Sequence, residues 1–282
     1  MTIRIHKLSI YRFLRSQIFW ALLTSIVLTL SIQPSTSQQP SESLSQTSIA
    51  DGTLRRIYVP ILMYHYVGPL PEDADRYRTE LTVSAQRFRE HIEFLVSQGY
   101  SSTSLYEVNN ALLTGAPLPP KPIVLTFDDG YTDHYTNVLP ILREYNFTGT
   151  FFIITGYADQ GLTQHLSWAQ IQEMGYNGMS IEPHTKSHID LRQRPREQLI
   201  YEIVGSMESI QAHTGQKGTI FAYPGGRYDE QTLSIIQQTG VQRAVTTTHG
   251  AWLTTDNRYE LPRLRVSGEM SVAALAQLLR SG

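Results

Sequence analysis

The chain lacks cysteine altogether and carries little net charge. Its 282 residues include 23 basic and 25 acidic side chains, which leave a formal net charge of -2. The absence of cysteine excludes disulfides, thiolate metal ligands, a cysteine nucleophile and a lipid-modified N-terminal cysteine. A near-neutral chain without a basic stripe also has no electrostatic field that would gather phosphate backbones. We therefore expect no nucleic-acid partner.

The N-terminal apolar run is too short to span a membrane comfortably. Basic residues precede the run at 18–32, in the order typical of a secretory signal, but a spanning helix needs roughly 20 apolar residues. The residues that follow, Gln33, Pro34 and Ser35, match a cleavage site poorly. Residues 1–33 are thus interpreted as a cleaved signal peptide or as an uncleaved membrane anchor. A buried core helix is the third alternative. Either of the first two predicts export, to a secreted, periplasmic or envelope-anchored location facing outward.

A flexible linker is predicted to follow, and then one folded domain. Residues 34–53 are dominated by Ser, Gln, Thr and Pro, which bury too little apolar surface to become ordered. Residues 54–282 are long enough for one large core. We expect a single domain from Leu54 to the end of the sequence.

Within that domain, short β-rich runs alternate with longer segments of helical period. This alternation predicts an α/β fold built from βα units around a parallel sheet. The predicted strands are residues 59–64, 123–127, 149–154, 179–182, 219–223, 244–247 and, more weakly, 264–266. The predicted helices are residues 84–98, 105–113, 135–144, 168–174, 196–213 and 230–238.

Polar clusters follow the predicted strands at the points where the apolar runs end. His65 ends the first strand, Asp128 and Asp129 end the second, and further clusters occupy 182–188 and 223–226. The carboxyl ends of parallel strands share one face of a barrel or open sheet, where active sites form. We expect these distant clusters to converge there.

Two adjacent aspartates and a spaced pair of histidines predict a metal site. Asp128 and Asp129 would repel each other if both were desolvated, unless a cation or a shared proton lies between them. His184 and His188 are four residues apart, so in a helical turn both rings would face one ion. Two histidines and one carboxylate form a known metal-binding set. A solvent-facing Asp-Asp-Gly turn and surface histidines are the structural alternatives.

Three motifs in this order resemble the polysaccharide deacetylases of carbohydrate esterase family 4, which contain the NodB homology domain. They are TFDDGY at 126–131, HTKSHIDL at 184–191 and FAYPGG at 221–226. The resemblance extends from about residue 57 to residue 266. Within the family, the chain is similar to a bacterial subgroup that includes poly-N-acetylglucosamine deacetylases. It implies a distorted, incomplete parallel (β/α) barrel of about seven strands. It also implies one divalent metal ion, which we expect to be zinc, with cobalt or nickel as alternatives.

The resemblance assigns roles residue by residue. It makes Asp128 the general base and assigns Asp129, His184 and His188 as metal ligands. The third motif implies a backbone N–H donor to the reacting oxygen from the residue after its proline, here Gly225.

The sequence departs from the family pattern at two positions. Ala222 stands where an arginine is common, and Gly225 stands where a tyrosine is common. Since that arginine orients the base, we assign its task to Arg263, which precedes the weak last strand. Arg263 is therefore placed with Gly225 and Tyr223 on the substrate side of the site. A surface arginine and a simple turn are the structural alternatives.

Amide hydrolysis also requires an acid that protonates the departing amine. Many members of the family use a histidine near the C-terminus, but no histidine follows His249 in this chain. In a subgroup whose motifs are circularly permuted the equivalent histidine comes from the first strand, which favours His65 over His249. Four aromatic residues could stack on a sugar ring: Trp168, Tyr131, Tyr223 and Trp252. Tyr223 is the best placed of them, although core packing is the more common role of such residues.

These residues favour removal of acetyl groups from a β-linked N-acetylglucosamine polymer. An O-acetyl esterase acting on a xylan-type glycan is the nearest alternative, because one site could cleave either bond. A catalytically silent carbohydrate-binding module would fit the changes at Ala222 and Gly225. A non-haem iron oxygenase uses the same ligand types, but in a different sequence order.

Overall fold

The computed structural model describes residues 50–282. Its strands, in chain order, are β1 (Arg56–Tyr58), β2 (Ile61–Tyr64), β3 (Tyr66–Val67), β4 (Thr82–Val83), β5 (Ser101–Ser102), β6 (Pro122–Phe127), β7 (Thr150–Ile153), β8 (Ser180–Pro183), β9 (Ile220–Ala222), β10 (Arg243–His249), β11 (Trp252–Thr254) and β12 (Leu261–Arg265). Its helices are α1 (Arg76–Leu81), α2 (Ala85–Ser97), α3 (Leu105–Thr114), α4 (Leu139–Glu144), α5 (Thr155–Gln160), α6 (Trp168–Tyr176), α7 (Arg196–Thr214), α8 (Glu230–Gln238) and α9 (Val272–Ser281). A π-helical turn, His134–Val138, precedes α4, and a 3₁₀ turn, Pro224–Gly226, follows β9.

Seven parallel strands form a nearly closed barrel in the order β8-β7-β6-β2-β12-β10-β9. The short strand β5 pairs with the first two residues of β6, Pro122 and Ile123. The central strands are apolar on both faces, as in β6, where residues from Ile123 to Phe127 are all buried. Such runs suit strands that are covered by side chains on the inside and by helices on the outside. The predicted incomplete barrel of about seven strands is confirmed.

One buried side chain connects the two edge strands of the barrel. Glu182 on β8 is fully buried, and its Oε2 accepts a hydrogen bond from the backbone N–H of Ile220 on β9 at 2.9 Å. Its Oε1 accepts from the hydroxyl of Ser180 at 2.7 Å. The side chain of Glu182 thus connects β8 to β9, whereas the other neighbouring strands of the barrel are connected by backbone hydrogen bonds.

Several helices begin where the sequence supplies a capping side chain. Ser104 and Glu107 form a capping box at the start of α3, and Ser167 and Gln170 form one at the start of α6. Each box satisfies two backbone N–H groups that lack partners in the first turn. These helices then bury an apolar face against the barrel, as α3 does with Leu105, Val108 and Leu112.

The structure contains helices that the periodicity did not predict, namely α1, α5 and α9. In α1 none of the six residues is buried, so the sequence carries no apolar stripe there. The segment predicted as one helix at 135–144 is divided into the π-helical turn and α4. All seven predicted barrel strands are present.

The predicted signal or anchor at 1–33 lies outside the described residues, as does most of the predicted linker. Within the described part, contacts with the domain begin before Leu54, since the N–H of Asp51 donates to the carbonyl of Leu113 at 3.2 Å. Among residues 50–282, no helix has the length and apolar character needed to cross a membrane.

Candidate active site

The polar clusters at the strand ends meet in one cavity of about 400 Å³. The loops after β2, β6, β8 and β9 all contribute to its wall. The sequence therefore brings together, from distant positions, six of the residues that it singled out: His65, Asp128, Asp129, His184, His188 and Gly225.

Asp129, His184 and His188 form a cluster with the character of a metal site. Oδ1 of Asp129 lies 3.3 Å from Nε2 of His184 and 3.3 Å from Nε2 of His188. Their ligand atoms all lie within 4.8 Å of one another. Oδ1 of Asp129 is buried yet accepts no hydrogen bond in the described part of the chain. A buried anionic oxygen without a donor, faced by two imidazole nitrogens, fits a divalent cation.

The surrounding groups fix the orientation of these ligands. Nδ1 of His184 lies 2.8 Å from the carbonyl oxygen of Ala222, and a carbonyl can only accept, so Nδ1 carries the hydrogen and Nε2 keeps its lone pair. Tyr131 donates from its hydroxyl to Oδ2 of Asp129 at 2.9 Å, which leaves Oδ1 as the inward-facing oxygen. Such supporting hydrogen bonds raise metal affinity. Ala222 therefore contributes through its backbone, at the position where the family commonly has an arginine.

The loop that carries both histidines is not the helical turn that their spacing predicted. Thr185 has φ 67° and His188 has φ 56°, so the chain twice enters the left-handed region between them. Asp129 is left-handed as well, with φ 75°. Non-glycine residues in this region cost energy and cluster at functional sites. The backbone N–H of His188 donates to Oγ1 of Thr185 at 2.9 Å, which stabilises the bend.

A buried glutamate on α7 holds the same loop from outside the cavity. Glu202 is 2% exposed, and its Oε2 accepts from the backbone N–H groups of Lys186 at 3.0 Å and Ser187 at 2.9 Å. Its other oxygen, Oε1, accepts from the Ser187 hydroxyl. These bonds lie immediately before His188, so Glu202 fixes the path of the chain into that ligand.

Asp128 faces the cavity beside the cluster and is held by Arg263. The guanidinium of Arg263 donates from Nη1 to Oδ1 and from Nη2 to Oδ2, both at 2.7 Å, and from Nε to the carbonyl of Thr246 at 2.9 Å. Burial raises the pKa of Asp128, but the charge and hydrogen bonds of Arg263 outweigh it and bring that pKa to about 2. The carboxylate is therefore ionised and ready to accept a proton.

The structure places His65 in the cavity and His249 outside its wall. Nε2 of His65 lies 3.9 Å from Oδ2 of Asp128, and the side chain is 11% exposed. Burial lowers the pKa of His65, while the charges of Asp128 and Asp129 act in the opposite direction. His249 is exposed at the end of β10 and is not among the residues that line the cavity. Of the two candidate acids, only His65 faces the reacting region.

The three residues predicted for the substrate side are separated by the fold. Gly225 lies on the cavity wall with φ 59°, in the left-handed region that glycine adopts readily. Tyr223 is fully buried, and its hydroxyl donates to the carbonyl of Tyr259 at 3.0 Å. Its ring stacks on Tyr228, so it has no free face for a sugar. Arg263 is 1% exposed and lies beneath Asp128, so it can reach a substrate only through that carboxylate.

Other residues of the cavity carried no signal that sequence reasoning could use. They come from α1, from the loop after the 3₁₀ turn and from the ends of β10 and β12: Tyr77, Glu80, Leu81, Arg227, Thr247 and Arg265. None belongs to the quoted motifs, and α1 itself has no apolar period. The Thr-Phe-Asp-Asp-Gly-Tyr motif does end in Tyr131, so its contact with Asp129 could have been suspected from proximity alone.

Comparison with known proteins identifies the family. The family model for polysaccharide deacetylase matches residues 115–244. A Bacillus subtilis (strain 168) protein named as a polysaccharide deacetylase, YxkH, is 34% identical over 223 residues, which cover 79% of this chain and 76% of the relative. The chain belongs to the polysaccharide deacetylase family.

The deacetylase also resembles solved structures of such enzymes over most of its length. The Streptococcus pyogenes deacetylase PplD, in complex with acetate, superposes with a TM-score of 0.74 at 31% identity, covering 80% of this chain and 99% of that one. The Staphylococcus aureus (strain MRSA252) poly-β-1,6-N-acetyl-D-glucosamine N-deacetylase is 25% identical over 200 residues, covering 67% of this chain and 69% of its own. The chain is thus a polysaccharide deacetylase, a hydrolase of carbohydrate esterase family 4.

Proposed function

We propose that this deacetylase removes N-acetyl groups from a β-linked N-acetylglucosamine polysaccharide by metal-dependent hydrolysis that releases acetate. The observation that carries the proposal is the placement of the ionised, buried Asp128 directly beside the Asp129–His184–His188 cluster. The named activity of the Staphylococcus aureus relative supports the choice of an N-acetylglucosamine polymer. An acetyl amide, an ion and a base can meet within the single cavity described above.

Asp129, His184 and His188 would hold one divalent ion, and we propose zinc, with cobalt or nickel as alternatives. Two imidazoles and one carboxylate are the ligand set of catalytic zinc sites, which keep a further position open. Such an ion polarises a carbonyl and lowers the pKa of a bound water from about 16 to about 7. The orphaned Oδ1 of Asp129 and the fixed Nε2 of His184 are the atoms that this chain offers to it.

Asp128 acts in this scheme as the general base. Its oxygens are each paired with one nitrogen of Arg263, and a carboxylate has further lone pairs that remain available toward the cavity. It accepts a proton as the attacking water forms its bond to the acetyl carbon. Arg263 holds both oxygens so that no rotation is needed before that transfer.

His65 supplies the proton that the leaving group needs. As the carbon–nitrogen bond of the acetamide breaks, the sugar nitrogen takes a proton from His65 and departs as a free amine, and the acetyl group leaves as acetate. Nε2 of His65 lies 3.9 Å from Oδ2 of Asp128. The backbone of Gly225, which lines the same cavity, is proposed to stabilise the charge that develops on the carbonyl oxygen.

Acetate release tests the proposal directly. The purified protein would be incubated with N-acetylglucosamine oligomers as isolated, after chelation, and after addition of zinc, cobalt or nickel to the chelated sample. We expect activity to vanish on chelation and to return with metal. Acetylated xylan serves as the comparison substrate. Release of acetate from xylan alone would show an O-acetyl esterase in place of the proposed N-deacetylase. Absence of acetate release from both substrates, with metal bound, would favour a carbohydrate-binding module.

The metal assignment has its own test. Asp129→Ala, His184→Ala and His188→Ala should each lose both metal and activity, whereas Asp128→Asn should keep the metal and lose activity. The metal content of each purified variant tests whether these three residues bind the metal. Retention of metal by all three ligand variants would contradict the assignment.

We also propose that the enzyme works outside the cytoplasm. The support is the order of basic residues followed by the apolar run at 18–32. Fractionation of cells that express the full chain, combined with protease treatment of intact cells, tests this location. Protection of the enzyme in the cytoplasmic fraction would refute it.

A further inference from the structure

Helix α1 forms one wall of the catalytic cavity and presents an exposed aromatic side chain there. Tyr77 is 75% exposed. Four large aromatic residues are exposed in the described part of the chain, at Tyr77, Tyr176, Tyr201 and Trp252. Of these, only Tyr77 lines the catalytic cavity. An aromatic ring that remains exposed beside an active site gives up hydrophobic stabilisation unless it has something to bind.

A second cavity lies on the other side of the same residue. It has a volume of about 360 Å³ and shares Tyr77 and Leu81 with the catalytic cavity. Tyr77 and Leu81 therefore form the ridge between two adjoining depressions. A chain of sugars that fills the first cavity with its reacting unit can continue over this ridge into the second.

The floor of the second cavity is connected to the metal cluster by stacked rings. Tyr66 lines that cavity, and its ring stacks on Tyr131 with centroids 3.7 Å apart. The hydroxyl of Tyr131 donates to Asp129. On its outer side, the guanidinium of Arg78 covers the Tyr66 ring at 3.3 Å. The second cavity is thus built on the same rigid support as the catalytic site.

Helix α1 is short, but it is anchored at both ends. The side chain of Asp75 accepts from the backbone N–H of Arg78 at 2.7 Å and caps the helix. At the other end, the carbonyl of Glu80 accepts from the N–H of Gly268 at 2.7 Å. Tyr77 is therefore held on a fixed segment, and a ring with few rotatable bonds loses little entropy on binding.

We propose that Tyr77 is a sugar-binding platform for the polysaccharide unit next to the one being deacetylated, and that the second cavity receives the chain beyond it. This rests on the proposed function, because the occupant is the same N-acetylated polymer. The chemistry is the stacking of an apolar sugar face on an aromatic ring. Tyr77 is thus a residue that sets preference for polymer over small substrates.

The test compares a long and a small substrate. For each variant, kcat/KM would be measured on an N-acetylglucosamine pentamer and on 4-nitrophenyl acetate, and the change in the ratio of the two values relative to the parent enzyme measures the loss of contacts with the polymer. Tyr77→Ala should reduce this ratio by about three- to tenfold, through a raised KM for the pentamer. Tyr77→Phe keeps the ring and should keep the ratio. Tyr176→Ala removes an equally exposed ring elsewhere and is the matched control.

The outcomes separate the two proposals. If the parent enzyme deacetylates the pentamer and Tyr77→Ala leaves the ratio unchanged, the platform is refuted while the proposed function stands. The platform is also refuted if Tyr176→Ala lowers the ratio to the same extent. If the parent enzyme with metal bound releases acetate from no N-acetylglucosamine oligomer, the proposed function itself fails.

Discussion

Arg263 contacts Asp128 through both terminal nitrogens of its guanidinium, each 2.7 Å from a different carboxylate oxygen. Both side chains are almost completely buried. In such a pair, the charge of each partner is stabilised mainly by the other, and removal of one leaves a costly unpaired charge. Arg263 therefore fixes the orientation of the Asp128 carboxylate and lowers its pKa, so that the group stays ionised to lower pH.

We expect Arg263→Gln to shift the acid limb of the pH–rate profile to higher pH. Without the guanidinium, burial raises the pKa of Asp128, so the base becomes protonated, and inactive, at a pH where the parent enzyme still works. The loss of alignment should also lower kcat/KM by about 100-fold near neutral pH. Arg263→Lys keeps the positive charge but not the paired geometry, so its acid limb should move less. Identical acid limbs in all three proteins would contradict this role.

His65→Ala should separate amide hydrolysis from ester hydrolysis. A sugar amine leaves only with a proton, whereas 4-nitrophenolate leaves without one. The variant should therefore lose about 100-fold or more in kcat on N-acetylglucosamine oligomers but far less on 4-nitrophenyl acetate. His249→Ala is the control, because His249 lies outside the cavity wall. An equal loss on both substrates, or a selective loss in His249→Ala, would remove the acid role from His65.

Glu202→Ala should weaken metal binding although Glu202 does not contact the ligand atoms. The substitution releases the backbone N–H groups of Lys186 and Ser187, and with them the path of the chain into His188. Outer-shell partners of metal ligands typically change affinity by about 10- to 100-fold. Titration of the chelated protein with zinc measures the effect.

Two matched variants define the role of Glu202. Glu202→Gln can still accept both backbone hydrogen bonds through its remaining oxygen and should keep most of the affinity. Glu208→Ala changes an exposed glutamate of the same helix and should bind metal normally. A lowered melting temperature in Glu202→Ala with unchanged metal affinity would reduce Glu202 to a purely structural residue.

Glu182 should make the free energy of unfolding depend on pH. Burial raises its pKa to about 7 from an ordinary value of 4.5, although hydrogen bonds from Ile220 and Ser180 act against this shift. The folded protein therefore binds a proton more tightly than the unfolded chain does. As pH rises from about 4.5 to about 7, this group removes up to about 3 kcal/mol of stability.

Glu182→Gln cannot titrate, so it should become more stable than the parent protein as pH rises. Urea unfolding of both proteins at pH 5 and pH 8, with a chelator present to exclude effects of metal binding, gives the difference. The side-chain oxygen of the introduced glutamine can accept from Ile220, and its amide can donate to the hydroxyl of Ser180, so the link between β8 and β9 is retained. Parallel pH dependence of the two proteins would refute the prediction.

The barrel was predictable because its strands are buried on both sides. Short apolar runs rich in β-branched and aromatic residues, such as the one that ends at Phe127, favour buried strands, and polar residues mark where each run ends. The helix α1 was not predictable, since none of its residues is buried and its position depends on Asp75 and Gly268, far apart in sequence. A hydrophobic periodicity in the sequence arises from a buried helix face, and α1 has no buried residue that would produce one.

The residues of the Asp129–His184–His188 cluster could be predicted from the sequence, but the backbone conformation that brings them together could not. Spacing indicated that His184 and His188 act together, yet it predicted a helical turn where Thr185 and His188 adopt left-handed conformations. Left-handed non-glycine residues are unfavourable locally, so only tertiary contacts, such as those of Glu202, make them stable. Tyr223 was harder to place, because its position inside the third motif did not reveal that its ring is fully buried.

The position of β12 determines when the enzyme becomes functional during synthesis. β12 comes last in sequence among the strands of residues 50–282, yet it lies between β10 and β2 near the middle of the barrel sheet. Its Arg263 is 135 residues from Asp128 in sequence. A nascent chain that already contains Asp128, Asp129, His184 and His188 still lacks the arginine that holds Asp128. Under the proposed mechanism, catalysis therefore requires insertion of β12, and a chain that ends before Arg263 should be an inactive hydrolase.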